Sequence, residues 1–157
     1  MKVTFTPFTK EDFYRFEEWE IEAYADALIR SKTESKEDAL CVSAEELEDM
    51  LPDGLSTEGN FFFNAINEDG EKIGLIWYSK PSDDEIFISE LFVYESFKNQ
   101  GFEEAILFEL EKIFGIKVIS SHVFDCDKET LKFYKNAGYE EYTHIPPAST
   151  YVKKELR

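Results

Sequence analysis

The segment from Glu90 to Ile113, ELFVYESFKNQGFEEAILFELEKI, constrains the fold more than any other part of the chain. It reads as a short apolar strand, then a polar loop holding Gly101, then an amphipathic helix. Phe102, Ala105, Ile106, Leu110 and Ile113 share one helical stripe. A β-branched strand, Lys117 to Phe124, comes next, and strand, helix and strand in this order make a crossover unit. A glycine at the strand-to-helix crossing lets backbone N–H groups approach an anion, which the helix N-terminus also favours. The loop therefore points to a phosphate-bearing ligand held by main chain. Glu103 and Glu104, in the first helical turn, oppose that anion.

The remaining elements surround this unit. Residues 2–8 read as a strand, and Thr9 with Asp12 starts a long helix carrying Phe13, Phe16, Ala23 and Ala27. Residues 31–42 read as a polar connection. Ser43 with Glu46 forms a second capping box, with Leu47, Met50 and Leu51 as the buried stripe up to the stop at Pro52-Asp53-Gly54. Asn60 to Ile66 and Lys72 to Ser79 make a hairpin across Asn67-Glu68-Asp69-Gly70, and Glu85 to Val93 is a third strand. Asp127 caps a helix through Lys135, with Gly138 as its left-handed stop. Strands at Tyr139 to Ile145 and Thr150 to Glu155 close the order βααβββαβαββ. The expected fold is α/β (α+β), one domain over 1–157, with a mixed sheet of about seven strands and four helices.

Charge narrows the partners. With 34 acidic against 17 basic side chains the net charge is −17, which repels nucleic acid and anionic lipid and attracts protonated amines. A solvated acidic surface accounts for the same numbers without any partner. Cys41 and Cys126 are too few for a disulfide framework, show no metal spacing, and read as buried free thiols. No basic leader opens the sequence and no apolar run approaches ~18 residues, so a soluble cytoplasmic protein is expected. No residue pattern separates monomer from homodimer.

The element order, the glycine loop before the third helix, and FYKNAGY near the end of the fourth together resemble the GCN5-related N-acetyltransferase (GNAT) superfamily. The LPDGLST turn at 51–57 is similar to one in small bacterial members. The family's Arg/Gln-x-x-Gly-x-Gly/Ala loop corresponds to Lys98, Asn99, Gln100, Gly101, Phe102 and Glu103. The middle glycine and a positive first residue are kept, while Glu103 replaces a small residue. Leu131, Phe133, Tyr134, Gly138 and Tyr139 match the family's FYxxxGF pattern.

The resemblance implies direct attack of an amine on the thioester of acetyl-CoA. Such a reaction needs a base for the ammonium, donors for the tetrahedral oxyanion, and an acid for the departing thiolate. Tyr134 stands at the family's thiolate-protonating position; its spacing from Leu131 also suits a core aromatic. Glu90 is the base candidate, placed by strand alternation on one face with Ile86, Ile88 and Phe92, where burial would raise its pKa. A rim glutamate held by a backbone N–H is the alternative. Leu91, Phe92 and Val93 resemble the segment whose main chain pairs with the pantetheine arm. Asp127 matches a position where relatives carry a cofactor-contacting asparagine, and it is equally a helix cap. His122 and His144 read as hydrogen-bonded strand residues.

Two functions lead among those compatible with these residues. One is acetyl transfer from acetyl-CoA to a primary amine of a small molecule or peptide, cationic if the charge bears on the substrate, with no metal. The other is a non-catalytic binding module on the same fold with a degraded pyrophosphate loop. A third, an acidic protein that sequesters a basic protein or mimics nucleic acid, rests on charge alone.

Overall fold

The computed structural model describes residues 1–156. A seven-stranded sheet is built from β1 (Thr4–Pro7), β2 (Asn60–Ile66), β3 (Lys72–Ser82), β4 (Glu85–Val93), β5 (Val118–Phe124), β6 (Glu140–Ile145) and β7 (Ser149–Glu155). Its spatial order is β1-β2-β3-β4-β5-β7-β6. Only β4 and β5 run parallel, and α3 (Phe102–Glu111) makes the crossover between them. This is the mixed sheet the sequence implies. No helix among the described residues is long and apolar enough to cross a membrane.

Helices cover both faces. On one, α3 and α4 (Lys128–Asn136) send Phe102, Ile106, Leu107, Leu110 and Tyr134 against Ile73, Ile76, Ile86, Ile88 and Ile119. On the other, α1 (Lys10–Arg30) and α2 (Lys36–Met50) close an aromatic cluster of Phe13, Phe16, Phe62 and Trp77 with Leu47 and Leu75. Gly74 is required where β3 passes β4, because a Cβ there would collide with the Phe92 carbonyl.

The start of α1 obeys the local code. Thr9 caps it and Asp12 returns the bond in a complete capping box. Asp12 also accepts from Asn64 (3.0 Å) and Lys72 (3.1 Å), tying the helix to the sheet. Burial alone would raise its pKa, but these bonds and those from Thr9 hold it at about 2.

Four expectations change. The cap of α2 is Ser35, which accepts from Asp38 N–H, so residues 36–42 are helical and not a connection. Ser43 lies mid-helix, buried, and donates to the Ile21 carbonyl at 2.7 Å, joining α2 to α1. The buried stripe of α2 is therefore Ala39, Ser43 and Leu47, which leaves Met50 exposed. Cys41, two positions along from Ala39, is exposed as well. The stripe of α1 runs through Phe13, Phe16, Glu20, Ala25 and Leu28; Ala23 and Ala27 are only half-buried.

Candidate functional site

β4 and β5 pair only from Glu85↔Val118 to Ile88↔Ser121. Beyond Ile88 the strands part, and a cleft of about 420 Å³ opens between them, floored by both strands and walled by α1, α2 and α4. The far edge of β4 stays joined to β3 through Leu91, Phe92 and Val93. Its near edge, facing the cleft, has no register partner among the described residues.

A bulge decides what faces this opening. Trp77 lies opposite Glu90, yet the next pair is Tyr78 with Ile88, so Ser89 is the extra residue. Simple alternation would keep Glu90 in phase with Ile86 and Ile88 on the α3/α4 face. The bulge reverses the phase and places Glu90 with Trp77 on the α1/α2 side, which corrects the expected face. Phe92 stays in phase with Glu90 and packs on Trp19 with ring centroids 4.5 Å apart.

Glu90 meets Glu20 of α1, a residue the sequence reading missed. Glu20 is only 8% exposed, and no donor reaches its Oε2 among the described residues. The two carboxyl groups are within hydrogen-bonding reach of each other. Burial raises the pKa of Glu20, and the charge of Glu90 adds to the effect. Burial also raises Glu90, with the charge of Asp127 adding, although bonds from Glu20 and the Leu91 N–H oppose it. Both carboxyls thus keep a proton to higher pH than a free glutamate does, Glu20 more firmly than Glu90, and they titrate as a pair. One signal was present in the sequence: Glu20 falls on the stripe of Phe13 and Phe16, where an apolar residue is due.

Tyr134 enters the same cleft from α4 and is 3% exposed. Burial raises its pKa, the Ser121 hydroxyl opposes this, and the charge of Glu90 adds to it. The phenol stays protonated at neutral pH. Asp127 both caps α4, accepting from Thr130 N–H at 3.1 Å, and lines the cleft. His122 also lines it, bonded to Ser149 at 2.8 Å, with its pKa lowered by burial, so it is neutral. His144 pairs with Asp125 at 2.7 Å and lies outside the cleft lining.

The glycine loop follows β4 past Val93, at the end where the fork opens. Asn99 and Gly101 both have positive φ (63° and 88°), and Gly101 is the N-cap of α3. The first-turn N–H groups of Phe102, Glu103 and Glu104 have no intrahelical acceptor, as at any helix start. Lys98 is engaged by Glu95 at 3.4 Å and lies over the Phe92 ring, 5.4 Å from its centroid. Glu103 is half-buried and Glu104 exposed.

The arrangement thus sets a carboxyl pair opposite a protonated phenol across a fork between strands. Residues 5–139 match the sequence profile of the acetyltransferase (GNAT) family. The chain is 28% identical over 145 residues to the uncharacterized N-acetyltransferase YdgE of Bacillus subtilis, covering 88% of this chain and 92% of YdgE. It is 26% identical over 147 residues to the uncharacterized N-acetyltransferase YycN of the same organism, covering 90% and 94%. The crystal structure of YycN superposes with a TM-score of 0.87 at 25% identity, covering 93% of this chain and 97% of that one. Spermidine N-acetyltransferase from Vibrio cholerae, solved with CoA and spermine, shares the fold at 12% identity with a TM-score of 0.68, covering 99% and 96%.

Proposed function

This chain belongs to the acetyltransferase (GNAT) family, and we propose that it transfers the acetyl group of acetyl-CoA directly to the primary amine of a cationic small molecule or peptide. The observation that carries this reading is the fork itself. β4 and β5 part at Ile88, and Glu90 and Tyr134 line the space between them.

In this reading the free edge of β4 at Leu91, Phe92 and Val93 pairs with the pantetheine arm. Its N–H groups, fixed in the sheet, are suited to a developing oxyanion. Residues 98–103 hold the pyrophosphate at the start of α3. The amine approaches from the α1/α2 side, where Glu90 takes a proton from its ammonium. Attack forms the C–N bond and expels the thiolate as the C–S bond breaks. Tyr134, kept protonated by burial, supplies the thiol proton, and the second proton released by the acylated nitrogen restores the phenol. A thiolate near pKa ~8.5 takes a proton from a phenol above ~10 in an uphill step, which is tolerable because the thiol product leaves. The acidic walls favour a cationic acceptor. The Vibrio protein of the same fold, solved with spermine, makes a polyamine a reasonable first substrate.

Glu103 and Glu104 favour a second reading, a binding module that takes no CoA. The test is thiol release from acetyl-CoA with spermidine and simple diamines as acceptors, in wild type and Glu90→Gln. Amine-dependent release that falls at least tenfold in Glu90→Gln supports transfer. Release that ignores both amine and variant contradicts it.

A further inference from the structure

Among the described residues, the lining of the cleft contains four carboxyl residues, Glu20, Glu46, Glu90 and Asp127, and no lysine or arginine. Three of these have other work. Asp127 is tied to Thr130, while Glu46 and Glu90 each lie beside a donor, the Tyr24 hydroxyl and the Leu91 N–H. Glu20 differs, being more than nine-tenths buried and facing the cleft with an oxygen that no protein donor reaches. A buried acceptor without a donor is destabilising, so the site is built for a donor from outside.

We propose that Glu20 and Glu90 together form the subsite for a primary ammonium group, seated where the unpartnered oxygen of Glu20 faces the cleft. The cation enters by replacing a proton held between the two carboxyls. The charge balances. One carboxylic acid and one carboxylate carry a single negative charge, and two carboxylates with one ammonium carry the same. The proton goes to solvent. An ammonium has three N–H donors, enough for the unpartnered oxygen of Glu20 and for Glu90 together. Beside the pair stand Tyr24 and Glu46 from α1 and α2, Tyr134 and Asp127 from α4, and the neutral His122 from β5. None of them supplies a cation that would compete. Trp77 and Leu47 give an apolar wall for a short alkyl stem. The subsite rests on the proposed acetyl transfer only for the chemistry after the amine has bound.

The probe is n-butylammonium chloride, added to the intact protein without acetyl-CoA at pH 7.5. Tetramethylammonium chloride, equal in charge but lacking N–H donors, is the control. Side-chain carboxyl carbons are followed by NMR, and proton release is measured in weakly buffered solution. n-Butylammonium should shift the Glu20 and Glu90 carboxyl resonances saturably toward the ionised form and release close to one proton per amine bound. Tetramethylammonium should do neither. Glu20→Gln, which keeps the shape, should weaken n-butylammonium binding at least tenfold and abolish proton release, with acetyl-CoA affinity within twofold of wild type. Equal effects of the two cations, amine binding without proton release, or undiminished amine binding in Glu20→Gln would each overturn the proposal. The comparison of the two cations needs no variant, so it stands even if Glu20→Gln folds poorly. Specific n-butylammonium binding with proton release, in a protein that fails to take acetyl-CoA, would support the subsite and remove the transfer reaction.

Discussion

Ser121 donates through its hydroxyl to the Ile88 carbonyl at 3.0 Å, at the last register pair before β4 and β5 separate. The bond is buried and lies at the apex of the fork. It ends the sheet without leaving a carbonyl stranded beside the bulge at Ser89. The same hydroxyl is the group that opposes the rise in the Tyr134 pKa.

Ser121→Ala should therefore lower stability by about 1–2 kcal/mol, the cost of a buried acceptor losing its donor. Denaturant melts check this. Unchanged stability would mean that the apex is held by packing alone.

Tyr134→Phe removes one hydroxyl and leaves the buried ring in place. If Tyr134 protonates the thiolate, turnover should fall at least tenfold while acetyl-CoA affinity and melting temperature stay close to wild type. Steady-state rates, calorimetry and thermal melts separate these quantities. A fall in stability with turnover spared would return Tyr134 to the core.

The carboxyl pair makes stability depend on pH with a definite sign. Glu20 and Glu90 both have folded pKa values raised above the unfolded glutamate value. The folded protein thus binds more protons than the unfolded chain above about pH 4.3, and its stability falls as pH rises from there through neutrality. One proton retained on folding is worth about 1.4 kcal/mol per pH unit. Glu20→Gln, which cannot ionise, should gain on wild type by about 3 kcal/mol between pH 5 and pH 7.5. Urea melts across that range provide the measurement, and parallel pH profiles would show that the pair shares no proton.

Glu103→Ala tests the glycine loop. Glu103 stands in the first turn of α3, where the proposed function places the pyrophosphate. A carboxylate ~6 Å from a phosphate is repelled by about 0.7 kcal/mol at the dielectric of water and about 3 at an effective value of 20. Removing it should tighten CoA binding by roughly 1–2 kcal/mol, and the gain should shrink as salt rises. The free protein should lose a little stability, since an acidic first turn suits the helix dipole. Calorimetry at two salt concentrations checks both directions. Weaker or unchanged CoA binding would mean that CoA does not cross this helix start.

The strand and helix order is readable because each element carries a local signal, as in the reciprocal box of Thr9 and Asp12. Where two local signals compete, the sequence alone does not choose between them. Ser35 with Asp38 and Ser43 with Glu46 both look like helix starts, and only packing of Ala39 on the core selects the first. The bulge at Ser89 is set by the register of β4 against β3, a relationship between distant segments that alternation within β4 does not contain. That extra residue hides the face of Glu90, and with it the meeting with Glu20, although Glu20 interrupts an apolar stripe. Ser121 gives no sign at all, being one serine of an adjacent pair in a β-branched strand.

If the proposed reaction holds, the fork between β4 and β5 takes acetyl-CoA as a substrate. Calorimetric titration of the purified protein with acetyl-CoA tests this most directly, because it requires no knowledge of the acceptor. Saturable one-to-one binding with thermal protection is expected, tightening in Glu103→Ala. No heat and no protection against unfolding at millimolar acetyl-CoA would contradict it.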